Sequence, residues 1–230
     1  MAQIGYGYGS EFQLLRFLGH HRNELEEKLR EAIGISDGSF YWFDFGFTDR
    51  EKILSGDSEL CGLSFLEKKI SKISEVCNKV KKDYSWAFDR WQYWDAVFML
   101  DNVLYFVEAK AHKDELKSGN KEHGGTSSKE ILKFMKTQFT CANKNWLKDY
   151  YQFANRLSTV SLLNRQGITC KLVYIFFVDG YYDRERGINK DTTKEMFDKE
   201  IEQELRALKL DIQEKKKYVL DVFIDANPIT

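Results

Sequence analysis

An α/β domain, with a mixed β-sheet sandwiched between helices, is the fold class this sequence predicts. Three observations carry the prediction. Stretches with helical spacing of apolar residues alternate with short β-rich runs, in the order helices, strand, helix, strand hairpin, helices, strand, helix, strand. The run from Leu172 to Val178 is continuously apolar, as a strand covered on both faces must be. The 230 residues are 43% hydrophobic and 15% aromatic, enough for one sizeable core.

The elements follow in chain order. Ser10-Glu11-Phe12-Gln13 reads as a capping box that opens a helix with Leu14, Leu15 and Leu18 on its apolar side, ended by Gly19. Asn23 reads as the cap of a second helix, with Glu26 closing its box and Leu25, Leu29 and Ile33 on one face. Residues 39–46 are aromatic-rich and predict a strand. Leu66, Ile70, Ile73, Cys77 and Val80 recur at steps of three and four, which predicts an amphipathic helix over 63–80. Residues 93–100 and 103–111 form a strand hairpin around Asp101-Asn102. The polar, glycine-bearing stretch 112–128 reads as a mobile loop, and 129–139 and 144–165 as helices. A strand at 171–178, a helix at 191–208 and a strand at 217–224 complete the list.

The single Pro, at position 228, and the lack of a Gly/Ser-rich linker favour one domain over 1–230, with a core at about 10–178 and an extension at 191–224. The net charge of -1 argues against a protein that coats nucleic acid non-specifically, although a local basic groove fits inside a neutral total. Cys61, Cys77, Cys141 and Cys170 are widely spaced and suggest neither a zinc site nor a disulfide scaffold. No signal-peptide pattern and no long apolar span is evident, so a cytoplasmic protein away from membranes is expected.

The chemistry concentrates in the hairpin. Asp and Asn both tolerate the left-handed conformation, so Asp101-Asn102 suits a two-residue turn. Leu100 then faces Val103, and stepping outward sets Asp95 across from Glu108. Lys110, two residues on, projects from the same face as Glu108. Two opposed carboxylates repel unless something cationic sits between them, and a hard divalent ion suits oxygen ligands. Such an ion polarises a phosphate and acidifies a bound water, while Lys110 orients that water or stabilises developing charge.

Asp95 followed by Glu108-Ala109-Lys110 resembles the PD-(D/E)xK signature of restriction-endonuclease-like nucleases. The resemblance spans about residues 10 to 178, though the motif is only three side chains, and Trp94 stands where the family name has Pro. It implies an α-β-β-β-α-β core, a metal-dependent nuclease, and Mg²⁺ or Mn²⁺ held by Asp95, Glu108 and the Ala109 carbonyl. It implies nucleic acid as partner, with DNA favoured over RNA, and a homodimer would suit cutting both strands. Gln152 and Arg156, one helical turn apart, resemble the Q-x-x-x-Y helix of RecB-like members, in which the Gln lies beside the metal; here Arg156 replaces the Tyr. By the same resemblance Gln152 joins the catalytic set, and Glu11, on the first helix, is a further metal ligand. Arg156 suits either a phosphate contact or a salt bridge.

Four other E-x-K triplets, beginning at Glu26, Glu67, Glu115 and Glu214, lie in helical or loop contexts and read as solvated charge. Gly5-Tyr6-Gly7-Tyr8-Gly9 lacks the G-K-[ST] ending of a phosphate loop and reads as an N-terminal arm. Trp86, Trp91, Tyr93 and Trp94 could stack on bases or fill the core. The alternative to an enzyme is a catalytically inactive member of the same fold that binds nucleic acid or protein.

Overall fold

Five strands form a mixed central sheet in the order β1-β4-β5-β6-β9, seen in a computed structural model that describes residues 9–43, 60–67, 69–83, 92–118, 126–180, 182–183, 188–189 and 192–226. The chain begins with α1 (Ser10–His20), α2 (Arg22–Ile33), β1 (Tyr41–Trp42), β2 (Leu60–Cys61) and α3 (Ser71–Asp83). Next come β3 (Tyr93–Trp94), β4 (Ala96–Leu100), β5 (Val103–Lys110), α4 (Thr126–Gln138) and α5 (Tyr151–Arg165). It ends with β6 (Cys170–Val178), β7 (Tyr182–Asp183), β8 (Ile188–Asn189), α6 (Lys194–Leu208), α7 (Ile212–Tyr218) and β9 (Val219–Asp225). β1, β4 and β5 run antiparallel in turn, whereas β6 and β9 add in parallel.

Alternation along β5 assigns the two faces of the sheet. Tyr105, Val107 and Ala109 join Leu14, Phe17, Leu25 and Leu29 of α1 and α2 in one apolar cluster. Leu104 and Phe106 join Phe153, Leu157 and Val160 of α5, with Phe197 of α6, in the other. Buried residues run without a break from Phe153 to Leu163, so α5 is enclosed on all sides rather than amphipathic. Two of its hydroxyls bond locally: Ser158 donates to the Ala154 carbonyl (2.7 Å) and Thr159 to that of Asn155 (3.0 Å).

Several boundaries differ from the sequence expectations. Ser10 lies inside α1, and the capping position belongs to Gly9 at φ 89° with no side-chain cap bond. α1 continues past Gly19 to His20. α2 starts at Arg22, so Asn23 is no cap; His21 holds the cap position without a side-chain cap bond, and its carbonyl accepts the first helical bond from Leu25 N–H (3.0 Å). The amphipathic stretch from 63 divides into a single 3-10 turn at Ser64–Leu66 and then α3. The stretch from 144 likewise divides: Asn143 caps a 3-10 turn at Lys144–Leu147, and Lys148, at ψ -134°, leaves helical geometry before α5 begins. Sequence periodicity passed over both breaks because the apolar spacing continues through them. α7 was missed altogether; Asp211 caps it, accepting from Gln213 N–H (2.8 Å) and Glu214 N–H (3.3 Å).

The described part of the stretch after β5 carries regular structure. Lys113–Leu116 forms a 3-10 turn, Ser118 bridges to Tyr150, and Lys117 pairs with Glu200 at 3.3 Å. The arm at 5–8, the end of the strand at 44–46, Trp86, Trp91, residues 119–125 and Pro228 lie outside the described residues. Among the described residues the four cysteines form no disulfide, and no helix is long and apolar enough to cross a membrane.

Candidate active site

The hairpin turn places the site. Asp101 and Asn102 adopt φ values of 47° and 62°, both left-handed, as a two-residue turn between twisted strands requires. Leu100 pairs with Val103, and the one-for-one ladder runs to Ala96 opposite Val107. It stops one step short of Asp95. The Asp95 N–H turns to the Val107 carbonyl (3.2 Å), so two successive residues face one partner, as at a β-bulge. The expected direct opposition of Asp95 and Glu108 is therefore replaced by a bend that separates β3 from β4. The Asp95 carboxylate still reaches across: its Oδ2 accepts from Ala109 N–H at 2.7 Å.

Glu108 occupies the centre. The residue is 2% exposed, and each carboxylate oxygen lies against a cation. Lys110 Nζ donates to Oε1 at 2.6 Å, and Arg156 Nη2 lies 2.7 Å from Oε2. Arg156 comes from α5, and the same Nη2 donates to the Tyr93 carbonyl at 2.9 Å. Asp95, Glu108, Lys110 and Arg156 thus form one charge-balanced group. Burial and then the charge of Glu108 push the Asp95 carboxyl up to about 7, against the pull of Lys110 and Arg156. Burial pulls the Lys110 ammonium down, but Glu108 and Asp95 outweigh it and hold Lys110 above its ordinary value.

The strand register extends this group across the sheet. Glu108 pairs with Tyr174 of β6, and Tyr174 with Asp221 of β9, so the three share one row and one face. Asp221 accepts two bonds from Lys215 Nζ, at 2.9 and 2.6 Å. Lys215, expected to be solvated, is 2% exposed. Glu204 of α6 is equally buried, and burial raises its carboxyl to about 8 although Lys215 opposes the shift. Glu115, also expected to be solvated, instead accepts from Ala111 N–H at 2.8 Å and adds negative charge near Lys110.

A buried acid held protonated has a consequence for pH. The Glu204 carboxyl is raised in the folded state, so its contribution is intact below the unfolded value of 4.5 and is lost as pH climbs through about 8. Between about pH 5 and pH 8, wild type should lose on the order of 3 kcal/mol more stability than Glu204→Gln. Urea denaturation of both proteins at the two pH values checks this, and equal losses would contradict it.

The remaining expected site residues are spread more widely. Gln152 lies in the first turn of α5 with its side chain exposed, one turn before Arg156; its N–H donates to the Ser118 hydroxyl at 2.8 Å. Glu11 is partly exposed in the first turn of α1, which Gln13 ties down by donating to the Gly180 carbonyl (3.1 Å). Among the described residues, no three His, Cys, Asp or Glu side chains gather closely enough to hold a metal, so Glu11 is not brought together with Asp95 and Glu108. Trp94 is core: it is fully buried, packs against Phe106 in a tilted pair with ring centroids 4.3 Å apart, and donates to the Gly62 carbonyl (2.9 Å). Tyr93, by contrast, exposes 45% of its surface.

The donors at Asp95, Glu108 and the Ala109 carbonyl are all oxygen, which suits Mg²⁺ or Mn²⁺. The repulsion between the Asp95 and Glu108 carboxylates, which adds to burial in raising Asp95, would be relieved by a cation held between them. The donor set therefore fits a divalent cation, provided Glu108 exchanges one of its present partners for it.

The class of protein defined by these features is an α/β domain with a mixed five-stranded sheet between helices and a buried acid–base cluster at the end of its central hairpin. No protein-family model, no curated protein and no solved structure matches the chain.

Proposed function

We propose that this chain is a metal-dependent nuclease of restriction-endonuclease-like architecture, hydrolysing phosphodiester bonds in nucleic acid, with DNA favoured over RNA. The observation that carries the reading is the convergence of Asp95, Glu108 and Lys110 on one buried cluster beside the hairpin. The order α1, β1, β4, β5, α5, β6, with β5 and β6 parallel, supports an α-β-β-β-α-β core.

Asp95, Glu108 and the Ala109 carbonyl would hold Mg²⁺ or Mn²⁺, with Gln152 of α5 as a further catalytic candidate one turn before Arg156. The ion would polarise the phosphate and acidify a water. Ala109 N–H fixes the Asp95 carboxylate through its bond to Oδ2. Lys110 stays protonated beside the two acids and can donate to a phosphate oxygen as negative charge develops. The low exposure of Glu108 and Lys110 keeps bulk water from screening these charges.

Incubation with DNA and with RNA substrates, in Mg²⁺ or Mn²⁺ and in chelator, tests the proposal. Wild type is expected to cleave only with the ion present. A triple variant (D95N, E108Q, K110M) that cleaves as well as wild type would reject it.

One observation favours a second reading, in which the cluster is a structural ion-pair network and the domain binds nucleic acid or protein without cutting. Both Glu108 oxygens already carry protein cations. Calorimetric titration with Mn²⁺ separates the two, because a hydrolytic centre binds the ion and a purely structural one does not.

A further inference from the structure

Arg156 has no counterpart in the three-residue motif, yet it holds one of the two oxygens that a cation would need. The contact is a close, buried ion pair rather than a hydrogen bond, since Glu108 Oε2 has no hydrogen-bond partner among the described residues. Arg156 and Glu108 expose only 8% and 3% of their side chains, and their charges lie 2.7 Å apart. The Tyr93 carbonyl fixes the same Nη2 at 2.9 Å, which ties α5 to β3 just before the bend at Asp95. A guanidinium does not shed its proton at any ordinary pH, so it cannot make way for a metal by becoming neutral. It can only move. Oε1 offers no easier entry, because Lys110 Nζ occupies it at 2.6 Å.

We propose that Arg156 is a resident competitor for the divalent cation: it occupies Glu108 Oε2 in the metal-free protein and gives that oxygen up when the ion binds. The inference rests on the nuclease reading. A dication and a guanidinium on one buried carboxylate oxygen repel each other in a medium that screens poorly. The two contacts are therefore linked and mutually weakening. By reciprocity, the factor by which Arg156 lowers affinity for the ion equals the factor by which the ion loosens Arg156. Without metal, Arg156 keeps Glu108 neutralised and the core intact. With metal, a freed guanidinium has the charge and planar geometry to bind a phosphate. Arg156 thus sets the cation concentration at which the site loads.

Titration calorimetry with Mn²⁺ on wild type, Arg156→Gln and Arg156→Lys tests the competition. Arg156→Gln is expected to bind Mn²⁺ about tenfold or more tightly than wild type, because one buried positive charge competing with the ion is gone. Arg156→Lys, which keeps a cation there, should gain less. If wild type and Arg156→Gln bind equally, or Arg156→Gln binds more weakly, the competition is overturned while the metal site stands. If neither binds, the nuclease reading falls and the competition with it. Should Arg156→Gln fail to fold, wild type itself answers the question. The Arg156 Nε resonance, identified by its absence in Arg156→Lys, should shift saturably as diamagnetic Mg²⁺ is added. A resonance unmoved at saturation would overturn the proposal.

Discussion

Alanine at Glu108 is expected to destabilise the protein by about 3–5 kcal/mol, among the largest effects of any single substitution here. The cause is what remains, not what is removed. Lys110 and Arg156 would stay buried with their shared counter-charge gone. Glutamine is the gentler change, since its amide oxygen still accepts one bond, although the ionic attraction is lost. Urea denaturation measures the difference, with an unchanged slope indicating that only stability has shifted. A double-mutant cycle with Arg156→Met should recover part of the loss, because it removes one stranded cation. A loss below about 1 kcal/mol for Glu108→Ala would mean that water screens the group far better than its burial implies.

Asparagine at Asp95 is expected to have the opposite balance of effects. Its side-chain oxygen can still accept from Ala109 N–H, so the bend between β3 and β4 is preserved. Removing the charge relieves the repulsion from Glu108 that helps raise the carboxyl to about 7. The folded acid is raised from 3.8, so wild type loses the contribution of this group as pH rises through 7, and the variant does not. Above neutral pH, Asp95→Asn should therefore be at least as stable as wild type. Its ion-dependent cleavage should nevertheless fall by about a hundredfold or more, the scale of losing one group that acts on the transition state. Thermal melting and a cleavage assay on one preparation test both halves. A stable, inactive variant is the signature of a residue kept at the expense of stability. A variant that melts earlier and cuts normally would place Asp95 in the framework instead.

The hairpin was legible because its turn and its strands obey local rules. Asp101 and Asn102 both tolerate the left-handed conformation that they adopt, and the two-residue turn fixes every partner out to Ala96 and Val107. The buried strand β6 announced itself by composition. The bend at Asp95 was not legible, because a bulge is set by where the Asp95 side chain finds its donor, Ala109 N–H, and not by residue type. The paired capping boxes misled in a similar way. Ser10 and Asn23 have the right chemistry, but Ser10 already lies inside α1, and α1 runs almost directly into α2, which starts at Arg22 with His21 in the cap position and no side-chain cap bond.

The site was legible in its motif and not in its surroundings. Glu108 and Lys110 stood out because the triplet falls in an apolar strand. Arg156 carried two readings, and burial of the salt bridge to Glu108 favours one of them. Glu115 and Lys215 were misjudged because isolated triplets resemble solvated charge. Their partners, Ala111 N–H and Asp221, become neighbours only once β5, its following turn and β9 are placed. Glu204 gave no local signal at all, because a carboxylate on a helix is ordinary until the sheet covers it.

The most direct test is a crystal grown at neutral pH or above and soaked in manganese chloride, with diffraction recorded near the manganese edge. An anomalous peak within bonding distance of the Asp95 and Glu108 carboxylates, with Arg156 turned away from Oε2, is the predicted result. A fully soaked crystal with the salt bridge undisturbed and no peak at those carboxylates would contradict the account.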